Sequence, residues 1–322
     1  MTDRLRELVE GSDLDGLIRH VDGLASSRDW NGMLELRRWC YEAAERGKQL
    51  FGPAQYAEYR LALEAPAAIA ADMAQNGVSR FTLGPLWEVA ASTHTWDDIS
   101  AHLAEPVRTL IAHERSIRGD DMDGVEVDED VLGPTVELAP WEPTYAPAVY
   151  RSDKADFPEP NFSPLASLAL PNKTEAKPDD RVEEALRALV TPWVDNSNGR
   201  AEAVSVNGDA LQAIRTLGAP SAYGARVEPE EALAYMAWTA ASGGAHGRRR
   251  GLAVGRSLAW WVVAAMADMM DVDLLDPDDV GDAAAKITWY RWQPETETSG
   301  WSAHLAAQLD DRAWALSAHD AR

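Results

Sequence analysis

The sequence predicts a mainly α, α+β protein, and three observations predict it. Apolar residues recur at helical spacing through residues 1–119 and again after Asp180. Nine of the 18 prolines crowd between positions 134 and 178, where neither helices nor central strands tolerate them. After Ile287 the pattern changes to alternation, the period of a half-buried strand. The expected layout is an N-terminal helical bundle or repeat-like stack over 1–119 and an acidic, proline-rich strap over 120–180. An α+β domain over 181–322 follows, with a small antiparallel sheet.

In the first stretch the N-terminus opens an amphipathic pattern at Leu5. Leu14, Leu17, Ile18, Val21 and Leu24 then share one face, with Ser12 or Asp13 as N-cap. Asp29 caps the next helix, which turns Met33, Leu36, Trp39, Cys40 and Ala43 inward and stops near Gly47. Pro53 opens a third helix with Tyr56, Tyr59, Leu61 and Leu63, and Pro66 must bend or end it. Thr95 precedes a short helix over 96–103, and Glu105-Pro106 starts the last one. Short helices with brief connections fit a bundle. No repeat period near 34 or 40 residues aligns.

The strap holds 15 acidic and four basic residues, so almost half of the net charge of −23 sits there. It also carries Trp141, Tyr145, Tyr150, Phe157 and Phe162, more aromatic residues than a free linker keeps. Residues 131–171 are therefore expected to pack as an extended segment, and 172–180 to be a flexible joint.

In the last stretch a helix runs from Asp180 to about Val190, and 203–206 form a short strand. Asp209, Pro229 and Asp276-Pro277 each open a further helix, and a long apolar helix contains Trp260 and Trp261. The apolar run 258–270 is interrupted by Asp268 and is too short to span a bilayer, so it is expected to be a core helix. Three strands are expected over 287–293, 301–307 and 313–319, with a turn at 294–300; two short helices after Gly300 are the alternative. Thirteen tryptophans supply large apolar area, each with one N–H that needs a partner.

Charge and composition exclude several function classes. A net charge of −23 repels nucleic-acid phosphates and anionic lipid, so neither nucleic acid nor membrane is an expected partner. The single cysteine, Cys40, allows no internal disulfide, and no apolar signal core opens the chain; both fit the cytoplasm. No His-Glu-x-x-His pattern is present, and one cysteine cannot build a thiolate zinc cluster. Residues 120–130 contain Asp121, Asp123 and Gly124 at calcium-loop spacing, but Gly119 stands at the first ligand position and Asp130 at the last. No metal and no cofactor are expected.

The strongest local signal is the run 240–251, AASGGAHGRRRG, followed by Arg256. Gly243, Gly244 and Gly247 let backbone N–H groups approach a ligand closely, and a following helix start turns donors toward an anion. Arg248, Arg249, Arg250 and Arg256 add forked, permanent charges, and His246 adds a group that titrates near neutrality. Two readings follow: a site for a phosphate, a carboxylate or an acidic partner segment, or internal ties to the acidic strap and the tail carboxylates. The spacing matches neither a Walker A loop nor a dinucleotide fingerprint. A second run, 90–98, places His94 beside Ser92, Thr93 and Asp97, but adjacency in sequence does not build a triad, and a Thr95 N-cap accounts for much of it.

Residues 56–66 (YAEYRLALEAP), 84–96 (GPLWEVAASTHTW) and 237–261 (AWTAASGGAHGRRRGLAVGRSLAWW) resemble an actinobacterial family of uncharacterised helical proteins. The resemblance implies a cytoplasmic protein and assigns no reaction and no site residue. The expected function is a non-catalytic binding or assembly protein that engages an unidentified protein partner or an anionic small molecule through the Gly/Arg run. The alternative is an enzyme acting on a phosphorylated or carboxylated small molecule, with His246 or His94 as acid–base group. A third reading makes residues 120–130 a phosphate-mimicking decoy for a basic protein.

Overall fold

Aspartates placed before apolar runs start helices here as the sequence predicts. In the computed structural model, which describes residues 3–78, 82–270, 275–296 and 300–321, the Asp13 carboxylate accepts the Gly16 N–H and Asp29 accepts that of Gly32. These caps satisfy donors that the first helical turn leaves open. The chain divides into two compact units, residues 1–122 with 148–156, and 123–147 with 157–322. The strap is shared between them.

The first unit contains α1 (Asp3–Gly11), α2 (Leu14–Ser26), α3 (Trp30–Glu45), α4 (Phe51–Glu64), α5 (Ala67–Asn76), α6 (Leu86–Ala91), α7 (Trp96–Ile99) and α8 (Val107–Ile117). Helix α4 is buried on every side and lies against α2, α3, α5 and α6. Its sequence carries charge inside, and the charge is paired: Glu58 accepts from Arg37 Nε at 2.7 Å and from the Val78 N–H at 2.9 Å. The strap piece adds a two-stranded ribbon, β1 (Val149–Tyr150) with β2 (Ala155–Asp156), and Tyr150 donates to the buried Glu88 at 2.6 Å. Pro66 does end α4, and it also opens α5, which the sequence reading lacks along with α6. The helix expected over 96–103 stops at Ile99 and continues as a 3₁₀ turn over Ser100–His102.

The second unit is built on a six-stranded antiparallel sheet, ordered β3 (Ala166–Ser167), β5 (Ala222–Val227), β6 (Thr288–Pro294), β7 (Trp301–Leu309), β8 (Arg312–Asp320), β4 (Arg200–Asn207). Helices α9 (Asp180–Ala188), α10 (Thr191–Asp195), α11 (Ala210–Thr216), α12 (Pro229–Ala241), α13 (Leu252–Met266) and α14 (Pro277–Lys286) complete it. The three tail strands stand where alternation put them; of the turn expected over 294–300, residues 297–299 lie outside the described residues, as do Met1 and Thr2. The sheet is larger than the three tail strands because β3, β4 and β5 join it. β5 carries Gly224 and short alanines, a weak strand signal.

One sheet face packs Val206, Trp292, Ala306, Ala313 and Ala315 against Ala210, Ala213 and Ile214 of α11. Strand alternation sends Leu305, Leu316 and Trp314 to the other face, where α9 lies against β4 and β8. Several tryptophan N–H groups find acceptors: Trp289 donates to Ala284 O at 3.1 Å, Trp141 to Pro277 O at 2.8 Å, Trp314 to Asp179 at 3.3 Å. The N–H groups of Trp193 and Trp292 are buried without a partner. Residues 172–180, expected to be a joint, are tied to the sheet: Ala176 bridges Val206, and Lys177 N donates to Ser205 O at 2.8 Å. The run 258–270 is not all core helix; α13 ends at Met266, and Met269 and Met270 lie beyond it, partly exposed.

No described helix is long and apolar enough to cross a membrane.

Candidate functional site

The Gly/Arg run is the loop between α12 and α13, in the second unit. Gly243 and Gly247 meet backbone to backbone: a Cβ on either would stand 2.3 Å from the other's carbonyl oxygen. Gly244 takes φ +68°, and a Cβ there would collide with Asp320 and Trp193. The glycines thus bring backbone donors close to an anion, and the anion is the chain's own. The fully buried Asp320, at the end of β8, accepts the Ala245 N–H at 2.6 Å and the Ser197 hydroxyl at 2.9 Å.

The arginines divide into two kinds. Arg256 is 0% exposed and grips Glu142 of the strap through two contacts, Nε–Oε2 at 2.7 Å and Nη2–Oε1 at 2.6 Å. Its remaining donors reach Thr135 O at 2.7 Å and Glu137 O at 3.1 Å. Burial would raise the Glu142 carboxyl, but Arg256, the Tyr145 hydroxyl and the Ala139 N–H outweigh it and hold the group below its ordinary value. The Trp260 indole donates to the same carboxylate at 3.1 Å. Arg250 donates to Ala240 O at 2.8 Å, Ala188 O at 2.9 Å and Leu189 O at 2.8 Å. These carbonyls end α12 and α9, where a cation satisfies open acceptors and faces the negative end of each helix. With no carboxylate opposite, burial pushes the Arg250 guanidinium down to about 10.

Arg249 stacks over the Phe157 ring at 4.7 Å and is half-buried. Arg248 and His246 are exposed. The sequence-derived set thus falls on one loop, except Arg256, which stands on the second turn of α13, and its donors point two ways. Arg250, Arg256 and the loop backbone bind the chain itself; Arg248 and His246 remain toward solvent.

His94 belongs to the first unit. Its ring nitrogens lie 2.8 Å from Ala65 O and 3.0 Å from Ala90 O, a clamp between helix ends, with the Thr93 hydroxyl 3.1 Å from the second nitrogen. Thr95 caps α7, with the Asp98 N–H 3.3 Å from its hydroxyl. Asp120 is an ion-pair partner of Arg115 and accepts the Trp96 N–H at 2.7 Å. Among the described residues no group of three or more His, Cys, Asp or Glu is arranged to hold a metal.

Two clefts in the second unit were not read from the sequence. One, of about 430 Å³, is lined by Lys177, Asp179, Arg181, Asp268, Arg312 and Trp314 among others; Arg312 pairs with Asp268 at 2.8 Å and stacks on Trp314. The other, of about 340 Å³, opens beside α13 between Trp261 and the strap. Both join side chains far apart in sequence, so no local motif marks them. The one available signal for the second was the Trp and Met content of the run 258–270, which reads equally as core.

No curated protein and no solved structure matches the chain. A family model does match, over residues 15–320, and the chain belongs to that family of unknown function, DUF6183.

Proposed function

We propose that the protein is a non-catalytic binding or assembly protein, with the exposed side of the Gly/Arg loop as its anion contact. The observation that carries the reading is the division among the polar groups of that loop and the first turns of α13. Arg250, Arg256 and the Ala245 N–H are committed to internal acceptors and set the loop's shape, which leaves Arg248 and His246 presented on a braced platform. A positioned pair of donors at a surface suits capture of a carboxylate or phosphate on a partner. The cytoplasmic and actinobacterial setting rests on the single buried cysteine, the acidic charge and the three resembling stretches.

The test is thermal stability against phosphorylated metabolites, nucleotides and carboxylates, in the wild type and in an Arg248→Gln/Arg249→Gln variant. Ligand that binds only the folded state raises the transition. A shift with one anion, abolished in the variant, with the anion unaltered after incubation, supports the reading. A shift that survives in the variant removes this loop as the contact.

The alternative, an enzyme acting on an anionic small molecule, draws on the 430 Å³ cleft with Lys177, Arg181 and Arg312 in its wall. It predicts chemical change of an anion on incubation, lost in an Arg312→Gln variant.

A further inference from the structure

The 340 Å³ cleft beside α13 combines three features. Part of its wall is apolar and polarizable, formed by Leu258 and Trp261 from α13, Met269 and Met270 just after it, and Leu275, with Ser257 beside them. Trp260, itself fully buried, lies behind this wall, held in place by its indole bond to Glu142 and by Trp141, 5.2 Å away between ring centroids. Gly133 and Pro134 of the strap also line it, and the exposed Glu129 and Asp130 line it where it meets solvent. Among the described residues no basic side chain lines the cleft, and neither the Glu129 nor the Asp130 carboxylate has a hydrogen bond or ion pair.

Large apolar side chains left half-open around a concavity of this size mark a ligand site more than a surface defect. Methionine adapts to irregular ligand shapes. Two unpaired carboxylates at the mouth, in a chain of net charge −23, add a field of one sign. An anion is excluded by that field, and a neutral apolar molecule leaves the carboxylates without a role. We propose that this cleft binds a small organic cation, a substituted ammonium bearing an alkyl or aryl body. The body lies against Trp261, Leu258 and the two methionines, and the ammonium sits toward Glu129 and Asp130. This site is separate from the Gly/Arg loop and stands whether or not that loop binds an anion.

The experiment is calorimetric titration of the intact protein with hexylammonium and phenethylammonium, beside hexan-1-ol and hexanoate as neutral and anionic counterparts. Two variants accompany it, Glu129→Gln/Asp130→Asn and Trp261→Ala, with circular dichroism as the check on folding. At low salt the ammonium ligands bind at least tenfold more tightly than hexan-1-ol, and hexanoate does not bind. The Glu129→Gln/Asp130→Asn variant loses that tenfold preference, Trp261→Ala weakens the ammonium and the alcohol alike, and added salt weakens only the ammonium. Equal binding of alcohol and ammonium by the wild type would overturn the proposal, as would no binding of either ammonium ligand or a preference unchanged in the neutralised variant.

Discussion

Arg256 and Glu142 form a two-point ion pair at 2.6 and 2.7 Å with both side chains fully buried, joining α13 to the strap 114 residues earlier. The pair explains why a proline-rich segment with 15 acidic residues holds a fixed course. Tyr145, Trp260, Thr135 and Glu137 complete the hydrogen bonding around it, so neither charge is left open. Removing one partner strands the other charge in the interior, and such losses run to about 3–5 kcal/mol. Glu142→Gln is expected to lower the urea midpoint accordingly. A Glu142→Leu/Arg256→Met replacement, which removes both charges, is expected to lose less than either single change.

Asp320 is the internal anion of the Gly/Arg loop. Asp320→Ala leaves the Ala245 N–H and the Ser197 hydroxyl without their acceptor, a cost of about 1–3 kcal/mol. Hydrogen exchange reads the effect directly: the Ala245 amide is expected to be slow in the wild type and fast in the variant, while amides in the centre of β7 stay protected.

His304 on β7 is 3% exposed, and neither ring nitrogen has a partner. Burial first, then the neighbouring charge of His319, pushes its pKa from 6.5 down to about 4. The folded protein thus holds a neutral ring where the unfolded chain takes up a proton below about 6.5. Stability from this group is complete above pH 6.5 and is lost as pH falls toward 4, by roughly 3 kcal/mol at the end of that range. Chemical denaturation between pH 4 and 7 is expected to show this slope in the wild type and a flatter one in His304→Phe.

Cys40 lies fully buried on α3, and burial pushes its thiol up to about 12. Thiolate is the reactive form, so the folded protein is expected to react with a disulfide exchange reagent only at the rate of unfolding. One equivalent should be released promptly in denaturant.

Much of this architecture was legible in the sequence because local chemistry wrote it there. Asp13, Asp29, Asp209 and Asp276 announce helix starts and cap them. Alternation around Trp289, Trp301 and Trp314 placed β6, β7 and β8 within two or three residues. The missed elements lacked such marks. β3 is two residues long, and β5 relies on its partner β6 rather than on its own pattern. For the Gly/Arg loop the residue types were visible, but their partners were not. That Arg256 meets Glu142, while Arg248 meets solvent, depends on contacts more than 100 residues apart and on Arg256 standing on α13 while Arg248 stays in the loop before it. The two clefts were illegible for the same reason.

The central claim is that the arginines of the loop and of the helix start after it divide into structural ties and an exposed contact. Urea unfolding of Arg248→Gln beside Arg256→Gln tests it most directly. The division predicts that Arg248→Gln stays within about 0.5 kcal/mol of the wild type while Arg256→Gln loses about 3–5 kcal/mol. Equal losses in the two variants, or a stable Arg256→Gln protein, would contradict it.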